Sequence, residues 1–148
     1  MNLSTHFTLV EMTTTKTGLA NEPTPTHRAA LTVLCRDLLE PVRARWGPIS
    51  VHSGYRSPAV NKKIGGSATS QHSKGEAADF HAGAHSLEEV FRWIVTESGL
   101  EFGQVILEGH SAGNPTWIHL SLGTPYRPAN RCGMALVFDG SKYSTWTG

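Results

Sequence analysis

Apolar and polar positions recur with two different periods along the chain, and each change of period marks an element. From Thr26 to about Trp46, the residues Ala30, Leu31, Leu34, Leu38, Val42 and Trp46 fall at threes and fours, the mark of one buried helical face. Pro41 removes a backbone bond and crowds the turn before it, so a kink is expected near Asp37 to Pro41. Gly47-Pro48 ends this helix, and Ile49 to Ser53 then alternate as a strand does. Pro58 to Lys63 read as a short helix with proline in its first turn. Glu76 to His81 read as a short buried strand. Ser86-Leu-Glu-Glu89 is a capping box opening a second helix, whose apolar face is Leu87, Val90, Phe91, Ile94 and Val95 and which Gly99 stops. Trp93 falls off that face.

Two further strands follow, Gly103 to Glu108 and Thr116 to Ser121, then a final one at Met134 to Phe138. Residues 1–25 are rich in Thr, with Gly18, Pro23 and Pro25, and lack sustained periodicity. They read as an extended arm with at most one helical turn near Val10 to Met12, anchored by His6 and Phe7. Tyr143 and Trp146 are expected to pack the tail down. The fold class implied is α+β, a small antiparallel sheet with helices on one side.

Length and charge narrow the reading. A chain of 148 residues has the size of one domain, and its 39% hydrophobic and 17% charged residues place it among soluble globular proteins. A net charge of +1 with no basic stripe gives no reason to invoke nucleic acid, and none is expected as a partner; Arg36, Arg43 and Arg45 read as a solvated helix face. Cys35 and Cys132 are too few for a disulfide framework and are expected in the core as small hydrophobes. No apolar run is long enough to insert in a membrane, and a monomer is expected.

Chemistry concentrates in Ser70 to Asp79. His72 and Asp79 are metal-competent, and zinc in catalytic sites takes three protein ligands. An arbitrary His and Asp seven apart mark only a surface loop and a solvated strand end. Here Gly75 between them suits a backbone turn of positive φ or a close approach of another segment. Asp79 shares an inward strand face with Ala77, where a carboxylate is costly unless paired or metal-bound. His81 lies on the same face, at its rim. A Ser70-His72-Asp79 triad would crowd two members onto one tight loop, so Ser70 reads as an orienting hydrogen-bond partner.

The later strands add a second cluster. If Gly113-Asn114 form the tip of their hairpin, Glu108 faces His119, with Cβ atoms about 5 Å apart on one sheet face. One carboxylate and one imidazole then converge beside His72 and Asp79. His110 in the loop competes with Glu108 for a catalytic role.

The pattern Ser70-x-His72-x-x-Gly75-x-Ala77-x-Asp79 resembles the signature of the zinc D-alanyl-D-alanine peptidases, a superfamily that includes hedgehog-type domains and phage endolysins. Ser53-Gly-Tyr55-Arg56-Ser, Asn61, Gly65-Gly66 and Trp117-Ile-His119-Leu-Ser121 follow the same order. The opening Leu3-Ser-Thr-His6-Phe-Thr resembles the phage and prophage branch. This resemblance implies His119 as third zinc ligand, Arg56 as a substrate or oxyanion group, and Glu108 as general base, ending the strand before the last ligand as in hedgehog-type domains. Ser53, Tyr55, Ser70 and Trp117 are then expected to touch substrate. Many relatives carry an acid three residues, or a histidine two residues, before the last ligand, where this chain has Thr116 and Trp117. The implied function is hydrolysis of amide bonds in peptidoglycan stem peptides, by a carboxypeptidase or endolysin-like enzyme with one zinc ion. The alternative is a zinc-holding module that binds wall or a partner without turnover. The N-terminus lacks a basic stretch followed by an apolar core, so synthesis in the cytoplasm is expected. Action on the cell wall then requires another component to carry the protein across the membrane.

Overall fold

The computed structural model describes residues 1–109 and 115–148. Phe7 and Leu3 are buried in the core although they belong to the arm, and a single turn of helix, α1 (Leu9–Thr13), follows them with Met12 fully buried. Thr8 caps α1, its hydroxyl accepting from Glu11 N while the Glu11 carboxylate accepts from Thr8 N. His6 anchors the arm as expected: its Nδ1 lies 2.7 Å from Glu40 Oε1, and Glu40 Oε2 accepts from Ser4 Oγ at 2.6 Å.

The long helix forms where the periodicity placed it. Thr24 caps α2 (Pro25–Leu34), and the chain continues through a π segment at Cys35–Leu39 into α3 (Glu40–Trp46). The break expected at Pro41 takes the form of that π segment. With no N–H on Pro41 to close the preceding turn, the ladder widens, and Glu40 N donates to Cys35 O. Gly47, at φ +89, ends the helix. Helix α4 (Pro58–Lys63) is capped by Ser57, and α5 (Leu87–Thr96) by Ser86. Trp93, off the apolar face of α5, is half-buried edge-on against Trp46, 6.3 Å between centroids.

Six strands form one sheet in the order β1-β2-β4-β3-β5-β6. They are β1 (Ser50–Ser53), β2 (Ala77–His81), β3 (Phe102–Gly109), β4 (Pro115–Leu122), β5 (Met134–Phe138) and β6 (Tyr143–Thr145). The expected all-antiparallel sheet is corrected to a mixed one, because β5 runs parallel to β3. Its cause lies in the connection. Chain leaving β4 at Leu122 stands beside Phe102, where β3 begins, and residues 123–133 carry it around that end to the free edge of β3. There Gly133 N donates to Phe102 O at 2.9 Å. Met134–Phe138 is also not the last strand: Tyr143 belongs to β6, which pairs antiparallel with β5 and leaves Tyr143 exposed. Trp146 does pack down, edge-on to Phe91 at 5.5 Å between centroids.

Alternate strand positions separate two faces. Ala78, Phe80, Val105, Ile118 and Leu120 point to the core, joined by Leu31, Leu34, Leu38 and Val42 of the long helix and Val90, Phe91 and Ile94 of α5. Burying a Leu, Ile or Phe side chain contributes roughly 1.5–3 kcal/mol, which makes this face the main source of stability. Cys35 is in that core, its thiol pushed up to about 12 by burial and by Glu11 and Glu40. Cys132 is not. It sits half-buried in the loop before β5, its Sγ 3.6 Å from Arg127 O. Among the described residues no helix is long and apolar enough to cross a membrane.

Gly75 has the conformation its position suggested. Its φ is +73, and a Cβ added there would run into the carbonyl oxygen of His27 in α2. Gly75→Ala is therefore expected to cost about 2 kcal/mol or more, read from the urea midpoint. Gly83 also has positive φ but open space around it, so Gly83→Ala should cost only about 1 kcal/mol. Equal losses at both positions would reject the close approach of α2 as the reason for glycine.

Candidate metal centre

The outer face of the sheet gathers the polar residues. Asp79 of β2 pairs with His119 of β4, which pairs with Ile106 of β3, so the three stand in one row and on one side. His72 reaches the same point from a 3-10 turn, Gln71–Lys74, between α4 and β2. Ser70 caps this turn, its Oγ accepting from His72 N at 3.2 Å, and Gly75 ends it.

Distances within the cluster are short. Asp79 Oδ1 lies 2.9 Å from His119 Nδ1 and 3.3 Å from His72 Nε2. All three residues are buried, at 3%, 4% and 7% exposure for His72, Asp79 and His119. Their outward atoms settle what the inward ones can do. His72 Nδ1 is 2.7 Å from Gly54 O, a group that only accepts, so Nδ1 carries the proton and Nε2 turns a lone pair inward. His119 Nε2 is 2.9 Å from Gln71 Oε1, and its proton placed there leaves Nδ1 as the inward lone pair. Three acceptors therefore face one another with little exposure to solvent, which a shared positive charge makes tolerable.

These atoms fit a metal. One ligand atom from each residue lies within 4.8 Å of the others, and a pair of imidazoles with a carboxylate is a donor set that zinc takes in sites with an open position. Protons can supply the positive charge as well: burial alone would push the Asp79 carboxyl up, but His72 and His119, when protonated, hold it well below the usual carboxylate range by charge and hydrogen bonding.

Arg56 adds a charge on the other carboxylate oxygen, with Nη2 3.3 Å from Asp79 Oδ2. Its Nε donates to Ser53 Oγ at 3.0 Å, so Ser53 orients Arg56. Tyr55 lies apart from the substrate role expected of it. It is 3% exposed in the core, its ring 5.7 Å from that of His27. Ser70 and Trp117 do line the groove around the site, a cavity of about 660 Å³. His81 does not line the groove; its Nδ1 lies 2.6 Å from His52 Nε2, and the His52 ring lies 5.5 Å from that of Trp117.

The hairpin register differs from the expectation that Glu108 faces His119. Glu108 pairs with Trp117, and the ladder is irregular between Glu108 and Gly109. A slip of two residues preserves the face, so Glu108 still borders the groove, diagonal to His119, with Cα atoms roughly 7–8 Å apart for such neighbours. Burial raises the Glu108 carboxyl, the Asp79 charge raises it further, and His119 and Arg56 partly offset both. The proposed tip Gly113-Asn114 and His110 lie outside the described residues.

Gln71 escaped the sequence reading. Its only signal was adjacency to His72, which says nothing of a contact with His119, 48 residues away.

The family model for Peptidase M15 matches residues 3–121. No curated protein matches the sequence.

Removing the Gln71 amide should free the outward nitrogen of His119 and let the ring rotate. Gln71→Leu is expected to weaken zinc binding about 10–100-fold, measured by competition with a chelating dye. Unchanged affinity would show that Gln71 does not orient His119.

Proposed function

Because the chain belongs to the peptidase M15 family, within the zinc D-Ala-D-Ala peptidase superfamily, we propose that it is a zinc-dependent hydrolase of amide bonds in peptidoglycan stem peptides. The observation that carries most weight is the meeting of three inward lone pairs, from His72, Asp79 and His119, on buried residues in the wall of the groove. Zinc held by these residues would supply Lewis-acid chemistry, polarising a carbonyl and making water more acidic.

The protein's own groups account for the rest. Glu108 borders the groove with a carboxyl raised above its ordinary value, suited to take a proton from water near neutrality and return it to the leaving amine. Arg56 is fixed by Ser53 and Asp79, and as a groove-lining guanidinium it can donate to the oxyanion that develops on the substrate carbonyl. Trp117 offers an apolar wall to the peptide. We assign the activity to the cell wall, with an endolysin-like role.

Glu108→Gln should keep zinc and fold while lowering release of new amino groups from purified wall about 10²–10⁴-fold. If hydrolysis is unchanged, Glu108 is not the base; if the zinc-loaded wild type releases nothing from any wall type, the non-hydrolysing zinc module is the better reading. A base must be ionised, so activity is lost as pH falls through the Glu108 pKa. Glu108→Gln should therefore remove this acid limb from the residual kcat/KM, and an acid limb that survives the substitution would contradict the assignment. Chelation of zinc should abolish activity, and its return should restore it.

A further inference from the structure

The groove has a second end that the chemistry above does not use. Along β3, Gln104, Ile106 and Glu108 share the outer face, so Gln104 stands on one side of the metal row and Glu108 on the other. Two strand residues span about 7 Å, the reach of one or two residues of an extended peptide. At the Gln104 end the lining residues include Lys74, Arg127 and Arg131. Both arginines come from the loop between β4 and β5, beyond the residues that the family model matches.

Arg127 is held in place by its own loop. Its Nε donates to Arg131 O at 2.6 Å, and Nη2 rests 3.9 Å from Met134 Sδ. Its stem crosses Gly103, where an added Cβ would come within 3.0 Å of Arg127 Cδ. Arg131 ends the 3-10 turn Ala129–Arg131, closed by Arg131 N donating to Pro128 O at 2.8 Å. Among the described residues, neither arginine nor Lys74 forms an ion pair. The single acid at this end, Glu76, feels Lys74 and Arg127 only at a distance. Three cations against one acid leave an unbalanced positive charge, while Glu108 and Tyr143 occupy the opposite end.

We propose that Arg127 and Arg131 form a carboxylate subsite that selects peptides bearing a free acid one or two residues from the cleaved bond. This rests on the peptidase reading for the position of that bond. A planar guanidinium suits a carboxylate better than a neutral amide; with Nε and Nη2 of Arg127 engaged by its own loop, its remaining N–H groups and the guanidinium of Arg131 are left for the ligand, and Lys74 adds charge to the same lining. The acid can be the C-terminus of the peptide or a side-chain carboxylate.

Matched synthetic stem peptides separate these sources: one pair differs as acid or amide at the C-terminus, another at an acidic side chain. Binding is measured by calorimetry on zinc-loaded Glu108→Gln protein, and hydrolysis on zinc-loaded wild type. In at least one pair the acid form should bind about tenfold more tightly, an advantage that shrinks with salt. Adding Arg127→Gln and Arg131→Gln should remove the preference, with zinc content and amide-form affinity unchanged. Equal affinity within both pairs, no binding by any peptide, or a preference that survives the double substitution would overturn the subsite. A preference that is present while the wild type hydrolyses nothing would leave the subsite standing and sink the peptidase reading instead.

Discussion

Asp79 sits almost fully buried between two imidazoles whose outer nitrogens are already engaged, one by the Gly54 carbonyl and the other by the Gln71 amide. Those outer bonds remove the rings' freedom to turn a proton toward the carboxylate, so the inner atoms are held as acceptors. Much of the remaining architecture can be understood as keeping that arrangement rigid. The β2–β4 ladder fixes the Asp79–His119 spacing, and Arg56 takes up the second carboxylate oxygen. The turn carrying His72 is pinned at both ends, by Ser70 and by a glycine against which α2 packs.

Segments distant in sequence are coupled through these contacts. The N-terminal arm contributes Met12, whose carbonyl accepts from Tyr55 N at 2.8 Å, and so steadies the Ser53–Arg56 segment beside the metal. Asn21 works on the same segment, its amide donating to Tyr55 O and its oxygen accepting from Ser57 N. Glu40, next to the π segment, ties the arm to the long helix. The arm therefore braces the loop that holds Arg56. Its Thr-rich composition hid this, because the bracing runs through backbone carbonyls and one asparagine and not through an apolar stripe.

Groove and core share a sheet but divide its faces. Buried apolar side chains on one side supply stability, and the other side can then carry charges that would be intolerable in the core. Edge strands widen the functional face. β6 brings Tyr143 to the rim near Glu108, and the loop before β5 brings Arg127 and Arg131 to the far end.

Periodicity and punctuation by Gly, Pro and caps were enough to locate the long helix, α5 and strands β1 to β5, because those signals are local. The spacing from Ser70 to Asp79 identified two metal-competent residues for the same reason, and the likeness of Trp117-Ile-His119 to a known pattern supplied the third. What sequence could not determine was set by contacts between distant segments. The parallel course of β5 depends on which sheet edge the 123–133 loop reaches, and Tyr55 faces the core because the arm and α2 cover it. The hairpin register slipped by two residues because a ladder irregularity is not written in the turn residues; with a side-chain period of two, Glu108 kept its face but not its partner. Gln71 and Gly54 became supports of the metal ligands only through folding, since a hydrogen bond to a ring nitrogen leaves no spacing by which a linear reading could find it.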